Sequence, residues 1–425
     1  MNEIIKLPYG KTEIRLELPE GSFRKLVSRV GELKSSRDGA EIVREAMRHP
    51  FGGRTLKELA VGKRTATVII SDHTRPVPSK DIIPAMLEEI RSGNPDIDIT
   101  LLVATGCHRG TTAAELEEKL GKEIATSEKI VVHDCIGSGN VGIGTLPSGA
   151  KLVIDRVAAE TDLLVSEGFI EPHFFAGFSG GGKSVLPGVC ARKTVLGNHC
   201  SAFIDSPYAR TGIIDKNPIQ TDIFDAAKQA KLAYIVNVII DENKKTVAAF
   251  AGDLAAAHKA GREFLSEYCT VKAEPADIVV TTNGGAPMDQ NIYQCVKGMT
   301  AAEATAKEGA VIILCAAIDD GTGGDTFYKP VKECGSPEAL YREVQGIAQD
   351  DTKPDQWEYQ ILCRLLMKHK VIFVTEKKNQ GIIEDMKMTY APDVNAALKM
   401  ARELKGEGAS LTVIPDGIAV AVKGF

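Results

Sequence analysis

Residues 65–76 read TATVIISDHTRP. An unbroken run of β-branched and apolar residues ends directly on Asp72-His73-Thr74-Arg75. The run lacks the alternation of a strand with one wet face. A strand built from it is buried on both sides, as in a mainly parallel sheet covered by helices. The chain that follows keeps the same rhythm. A helical segment at 80–92 (KDIIPAMLEEIRS) precedes a second apolar run at 97–104 (IDITLLVA), which ends on Thr105-Gly-Cys-His108. Thr111-Thr-Ala-Ala-Glu then opens another helix, and further runs lie at 130–132, 151–154, 162–166 and 235–240. Strands alternating with helices predict an α/β fold. Ligands of such sheets sit beyond the carboxyl ends of the strands, where the clusters 72–75 and 106–109 fall.

Before this region, KTEIRLELPEG alternates and predicts an edge strand. Around residues 266–275 the pattern restarts. Strand 276–282, helix 300–308, strand 310–316, helices 337–349 and 356–368, strand 370–375, helix 393–404 and strand 411–414 predict a second, smaller α/β unit. Two domains are expected, 1–268 and 269–425, with a last strand at 418–422 that suits either.

Bulk properties narrow the partners. The 425 residues suit two domains, and a net charge of -6 gives no electrostatic footprint for nucleic acid. The N-terminal stretch carries charge throughout, unlike a secretory leader, and no window has the ~18 apolar residues of a membrane span. None of the nine cysteines forms C-x-x-C, so reduced thiols in a cytoplasmic protein are expected.

Gly177-Phe-Ser-Gly-Gly-Gly182-Lys183-Ser184 satisfies the phosphate-binding pattern G-x-x-x-x-G-K-[ST]. Its context does not. A P-loop needs a strand entering the first glycine and a helix leaving the lysine. Glu171-Pro172-His173 interrupts the approach, and Pro187-Gly188 follows too soon for a helix. The local expectation is glycine backbone able to approach an anion closely, with Lys183 beside it.

Five of the eight histidines fall between residues 73 and 199. His108 follows a strand, His173 shares a loop with Lys183, and His199 precedes Cys200 in a loop. His133 is ambiguous, while His49, His258 and His369 read as bland. Two histidines make a matched acid and base near neutrality. On opposite sides of one carbon they would exchange protons from opposite faces, the logic of a racemase. A third suits a borderline metal such as nickel or zinc, although no H-x-x-x-H or H-E-x-x-H spacing marks a metal site made by protein alone. Arg75 can clamp a carboxylate or phosphate. Gln294 and Lys297, three apart, share a face if helical and can grip one small carboxylate. Trp357, the sole tryptophan, reads as packing of helix 356–368.

Taken together, Asp72-His73-Thr74-Arg75-Pro76, Thr105-Gly-Cys-His108-Arg-Gly, Glu171-Pro-His173-Phe-Phe-Ala-Gly-Phe-Ser-Gly-Gly-Gly-Lys183-Ser, Gly197-Asn-His199 and Tyr293-Gln294-Cys-Val-Lys297 resemble the nickel-dependent lactate racemase family, over essentially the whole chain. The resemblance implies two α/β domains with mainly parallel sheets and an active site in the interdomain cleft. It implies a nickel pincer nucleotide, a Ni-pyridinium-3,5-bisthiocarboxylic acid mononucleotide, attached through Lys183, with His199 as the protein's metal ligand. It implies His108 and His173 as the acid/base pair, cofactor contacts from Asp72, His73, Thr74 and Arg75, and substrate contacts from Arg75, Tyr293, Gln294, Lys297 and Trp357. The reaction implied is racemisation or epimerisation of a 2-hydroxy acid, lactate or a larger analogue. Hydride passes from Cα to the cofactor and back while the histidines serve the hydroxyl. Partners implied are the substrate and the enzymes that make the cofactor. The other readings are a nucleotide-binding P-loop protein and a non-catalytic two-lobed protein that binds a small acid.

Overall fold

The computed structural model describes residues 1–424. They form two compact units that the chain enters more than once. A central unit comprises Arg29–Asn198 and Ile213–Tyr268. A terminal unit comprises Met1–Ser28, His199–Gly212 and the chain from Cys269 onward.

The central unit is built on a six-stranded sheet. Its spatial order is Thr246–Gly252, Leu232–Ile240, Leu163–Phe169, Thr65–Ser71, Asp98–Ala104 and Lys129–Val132. All neighbours are parallel except the first pair. The inner residues of the strand Thr65–Ser71 are fully buried, as its unbroken apolar run requires. Helix Ser79–Gly93 turns Ile82, Ile83, Met86 and Ile90 onto the sheet, joining Val68, Ile70, Leu101, Val103, Val165 and Val236 in one core. From Thr65–Ser71 the chain adds strands in one direction, and from Leu163–Phe169 in the other. The crevice between these two strands is therefore the topological switch point, where open α/β sheets bind ligands. The loops leaving it are the two that carry Asp72–Arg75 and His173–Lys183.

The terminal unit has its own six-stranded sheet, parallel throughout. Its order is Thr389–Ala391, Lys370–Val374, Ala306–Cys315, Ala276–Thr282, Leu411–Ile414 and Arg24–Lys25. The expected helices 356–368 and 393–404 form as Gln356–Lys368 and Val394–Lys405. The expected helix at 300–308 lies earlier, at Ile292–Glu303, capped by the Asn291 side chain on Gln294 N–H. The segment expected as an edge strand pairs with Asn2–Tyr9 in a separate two-stranded hairpin, whose Ile5, Leu7, Leu16 and Leu18 enter the terminal core. The last strand forms at Ala421–Lys423 and pairs with Thr270–Lys272 in the same unit.

Candidate functional site

Asp72 ends the first central strand and is almost wholly buried. One carboxylate oxygen accepts from Thr74 N–H at 3.2 Å and Thr74 Oγ1 at 2.7 Å. The other lies 2.8 Å from Nδ1 of His108. Burial pushes the Asp72 carboxyl up, but the hydrogen bond and charge of His108, with Thr74 and Arg75, hold it below the usual carboxylate value. It is ionised near neutrality, so Nδ1 of His108 carries the proton. The half-exposed ring then presents Nε2 as a proton acceptor.

His173 is held differently. Ala176 N–H donates to its Nδ1 at 3.2 Å. A nitrogen that accepts carries no proton, so in this ring the proton is on Nε2. The short pairing of Pro172–His173 with Gly177–Phe178 closes this turn. Phe174 stacks on the imidazole at 5.2 Å and Phe175 meets it edge-on at 4.5 Å. Lys183 Nζ lies 5.9 Å from the centre of the same Phe175 ring. His173 and Lys183 therefore flank one phenyl group. The two histidine loops also touch, because Gly106 N–H donates to Gly188 C=O at 2.9 Å and Gly188 N–H to Lys183 C=O at 3.2 Å.

The glycines before Lys183 pack closely against their own fold. Gly181 N–H donates to the buried Asn237 side chain at 2.7 Å, inside the protein rather than toward an anion. Gly180 and Gly181 have φ of 74° and 56°. A Cβ on Gly180 would stand 2.7 Å from Asn237 Oδ1, and one on Gly181 2.8 Å from the His258 ring. Close packing against their own fold is what excludes side chains there. Residues Gly181–Ser184 form only a short 3-10 turn, so no P-loop helix exists. His258, read as bland, is buried, and its Nε2 lies 2.9 Å from Ser179 C=O. Burial lowers it to about 4, which keeps the ring neutral.

Other calls sort as follows. His73 turns to Thr111 at 3.1 Å and Glu115 at 3.9 Å, not to the Asp72–His108 pair. With Arg75 it lines a cavity of about 1020 Å³ shared with Lys119, Lys244 and Lys245. His133 is a structural tie, with Asp155 at 2.9 Å and Cys190 C=O at 3.0 Å. His49 is exposed, whereas His369 is buried.

The remaining candidates belong to the terminal unit. Lys297 Nζ donates to Gln294 Oε1 at 2.6 Å on helix Ile292–Glu303. One turn earlier, Tyr293 Oη accepts from Trp357 Nε1 at 3.2 Å. The Trp357 ring meets buried His199 edge-on at 4.9 Å. His199 sits at the break between helices Arg192–Asn198 and Ser201–Asp205. Next to Trp357, Glu358 is wholly buried, and neither carboxyl oxygen has a hydrogen-bond partner among the described residues. Burial raises it well above the usual range, against the pull of Lys297. Among the described residues no group of three or more His, Cys, Asp or Glu is arranged to hold a metal ion. No helix of these residues is long and apolar enough to cross a membrane.

Sequence reasoning missed Glu167, Lys119, Asn237 and Glu358. A charged residue inside the apolar run LLVSEGF was the available signal for Glu167. Nothing in the sequence separates Glu358 from the other acids of its helix.

Comparison with known proteins places the chain in a family. Residues 9–212 match the lactate racemase N-terminal domain and residues 271–422 its C-terminal domain. A lactate racemase from Thermoanaerobacterium thermosaccharolyticum is 50% identical over 99% of each chain. One from Lactiplantibacillus plantarum is 48% identical over 99% of each. The structure of the lactate racemase apoprotein from T. thermosaccharolyticum superposes with a TM-score of 0.96 at 49% identity, covering 99% of this chain and 100% of that one. A Thermotoga maritima protein, 19% identical with a TM-score of 0.64 over 92% of this chain and 100% of its own, shares the fold. With both domains matched and half its residues shared with named racemases along nearly the full length, this chain belongs to the lactate racemase family and is a racemase.

Proposed function

We propose that this chain interconverts the enantiomers of a 2-hydroxy acid, lactate or a larger analogue, by reversible loss of hydride from Cα with His108 and His173 as the acid/base pair. The observation that carries this reading is the opposite proton placement on the two imidazoles. His108 presents a bare Nε2 backed by an ionised Asp72. His173 presents a protonated Nε2 backed by Ala176 N–H. In these forms one ring is set to take a hydroxyl proton and the other to donate a hydrogen bond from Nε2–H to the substrate oxygen. To give a proton His173 must first take one, with Nδ1 released from Ala176 N–H.

The residues also fit the cofactor that the family resemblance implies. A relative described as an apoprotein is, by that description, a protein that takes a further group. Lys183 stands on a rigid turn braced by Asn237 and His258, a suitable place for a covalent attachment. His199, buried against Trp357, is a single imidazole donor for nickel, with the other donors coming from the pincer nucleotide. The chemistry such a group supplies when bound is acceptance and return of a hydride at Cα.

The protein's own work is orientation and proton transfer. Within the central unit Arg75, and within the terminal unit the Lys297–Gln294 pair, each carry donors suited to charge-assisted hydrogen bonds with a carboxylate. Asp72 keeps His108 in the proton-accepting tautomer and stabilises the imidazolium formed when it takes the hydroxyl proton. Tyr293 and Trp357 wall the region beside Lys297.

The test is racemisation of D- and L-2-hydroxy acids by protein produced together with the enzymes that make the cofactor. Turnover of lactate or a near analogue is expected, with added mass on the Lys183 peptide. Active protein with an unmodified Lys183 would overturn the cofactor assignment, and inactivity toward every 2-hydroxy acid would overturn the reaction.

A further inference from the structure

Glu167 lies on the central strand Leu163–Phe169 and is only 3% exposed. The ladder between this strand and Thr65–Ser71 ends at the pair Ile69–Ser166. Just beyond it, Glu167 reaches across the switch point. Its Oε1 accepts from Ser71 N–H at 3.1 Å, Ser71 Oγ at 3.1 Å and Ser79 Oγ at 2.7 Å. Ser71 is the last residue before the loop Asp72–Pro78, and Ser79 the first after it. Both ends of the loop are thus fastened to one buried oxygen.

Lys119 fastens the middle. Its Nζ donates to Arg75 C=O at 3.2 Å. Burial lowers the ammonium, while the charges of Glu167 and Asp72 pull it back up. A carboxylate buried this deeply is costly unless donors surround it. Its Oε2 has no hydrogen-bond partner among the described residues, so all of its protein hydrogen bonds go to the loop ends. Fixing a reactive group to a fraction of an ångström is what buried charged hydrogen bonds do well.

We infer that Glu167 is a positioning residue of the racemase, fixing the Asp72–Arg75 loop so that Asp72 meets His108 and Arg75 is held toward the substrate. This rests on the site reading above. Glu167 is not itself a catalytic group.

Two readouts test it, one of them independent of activity. Hydrogen exchange of the 70–80 segment, followed by mass spectrometry, should quicken by about tenfold or more in Glu167→Ala and stay near wild type in Glu167→Gln, which retains the accepting oxygen. On active holoenzyme, Glu167→Ala should lower kcat/KM by about 30-fold, Glu167→Gln by less than about 5-fold, and Ser79→Ala by an intermediate factor. In an Arg75→Ala background, Glu167→Ala should cost less than in wild type, because the part of its effect that passes through Arg75 is already lost.

Unchanged exchange in Glu167→Ala overturns the clamp, as does a Glu167→Gln variant no better than Glu167→Ala. Losses that multiply with Arg75→Ala show a general structural effect and overturn the positioning role. A loosened loop with undiminished turnover overturns the role in catalysis. If His108→Ala and Arg75→Ala are also undiminished, it is the site reading that has failed, and the exchange data still decide the clamp. Should Glu167→Ala not fold, Ser79→Ala carries both readouts through the same oxygen.

Discussion

His108 and His173 both follow strands of one mainly parallel sheet, yet their rings are held in opposite ways. The half-exposed His108 ring donates a hydrogen bond from Nδ1–H to a buried, ionised carboxylate, Asp72, whose other oxygen accepts from Thr74. His173 takes a backbone N–H on Nδ1 and packs between two phenyl rings. The first arrangement tolerates a cationic ring and backs it with negative charge. The second backs the ring with the positive end of an amide dipole, which opposes a further proton. In the proposed reaction, where the two histidines swap roles between enantiomers, each direction would start from unlike rings.

The largest effects come from deleting either ring. His108→Ala and His173→Ala should each lower turnover by about 10³-fold, within the range of general acid–base catalysis, while mass remains on Lys183. Full activity in either variant would break the comparison at once. Next is Asp72→Asn, which removes the negative backing of His108 only. A loss of about 10²-fold is expected. Because racemisation has an equilibrium constant of one, kcat/KM must fall equally for both enantiomers. The asymmetry between the rings should appear in kcat and KM taken separately. Equal changes in both parameters for both enantiomers would mean the rings are equivalent.

Lys297→Ala tests the proposed contact with the substrate carboxylate. A lost charge-assisted hydrogen bond raises KM by about 10- to 100-fold, with a smaller change in kcat. An unchanged KM would remove Lys297 from the site.

The smallest expected effect contrasts two buried acids. Asp72 has three hydrogen-bond donors and is held below the usual carboxylate value. Its stabilising contribution is present above the unfolded value of about 3.9 and is lost as pH falls through the lower folded value. Glu358 has no partner among the described residues, and burial raises it. Its contribution is present below about 4.3 and is lost as pH rises through the raised folded value. Thermal unfolding should therefore show Glu358→Gln gaining on wild type between pH 5 and pH 8. A difference that stays constant over that range would indicate an ionised Glu358 paired with Lys297.

Much of this was legible in the sequence, and the rest was hidden for identifiable reasons. The unbroken run TATVIIS fixed a doubly buried strand because composition alone reports burial on both faces. The loops after it carried Asp72 and Arg75 in readable form. The two-stranded hairpin at the N-terminus was not legible as such, since strand pairing depends on partners far from the pattern. For the glycines before Lys183 a motif reports close approach without saying to what, and for Gly180 and Gly181 the neighbours include Asn237 and His258. Glu167 and His258 escaped because a helix or strand period does not reveal which polar side chain reaches a distant loop. The tautomers of His108 and His173 depend on hydrogen bonds set by folding, which no spacing encodes.

Nitrogen-15 NMR of histidine-labelled protein, with signals assigned by His108→Ala and His173→Ala, tests the opposite-ring arrangement most directly. The expected result is a proton on Nδ1 of His108 and, on His173, a proton on Nε2 with none on Nδ1. Two rings of the same tautomer would contradict it.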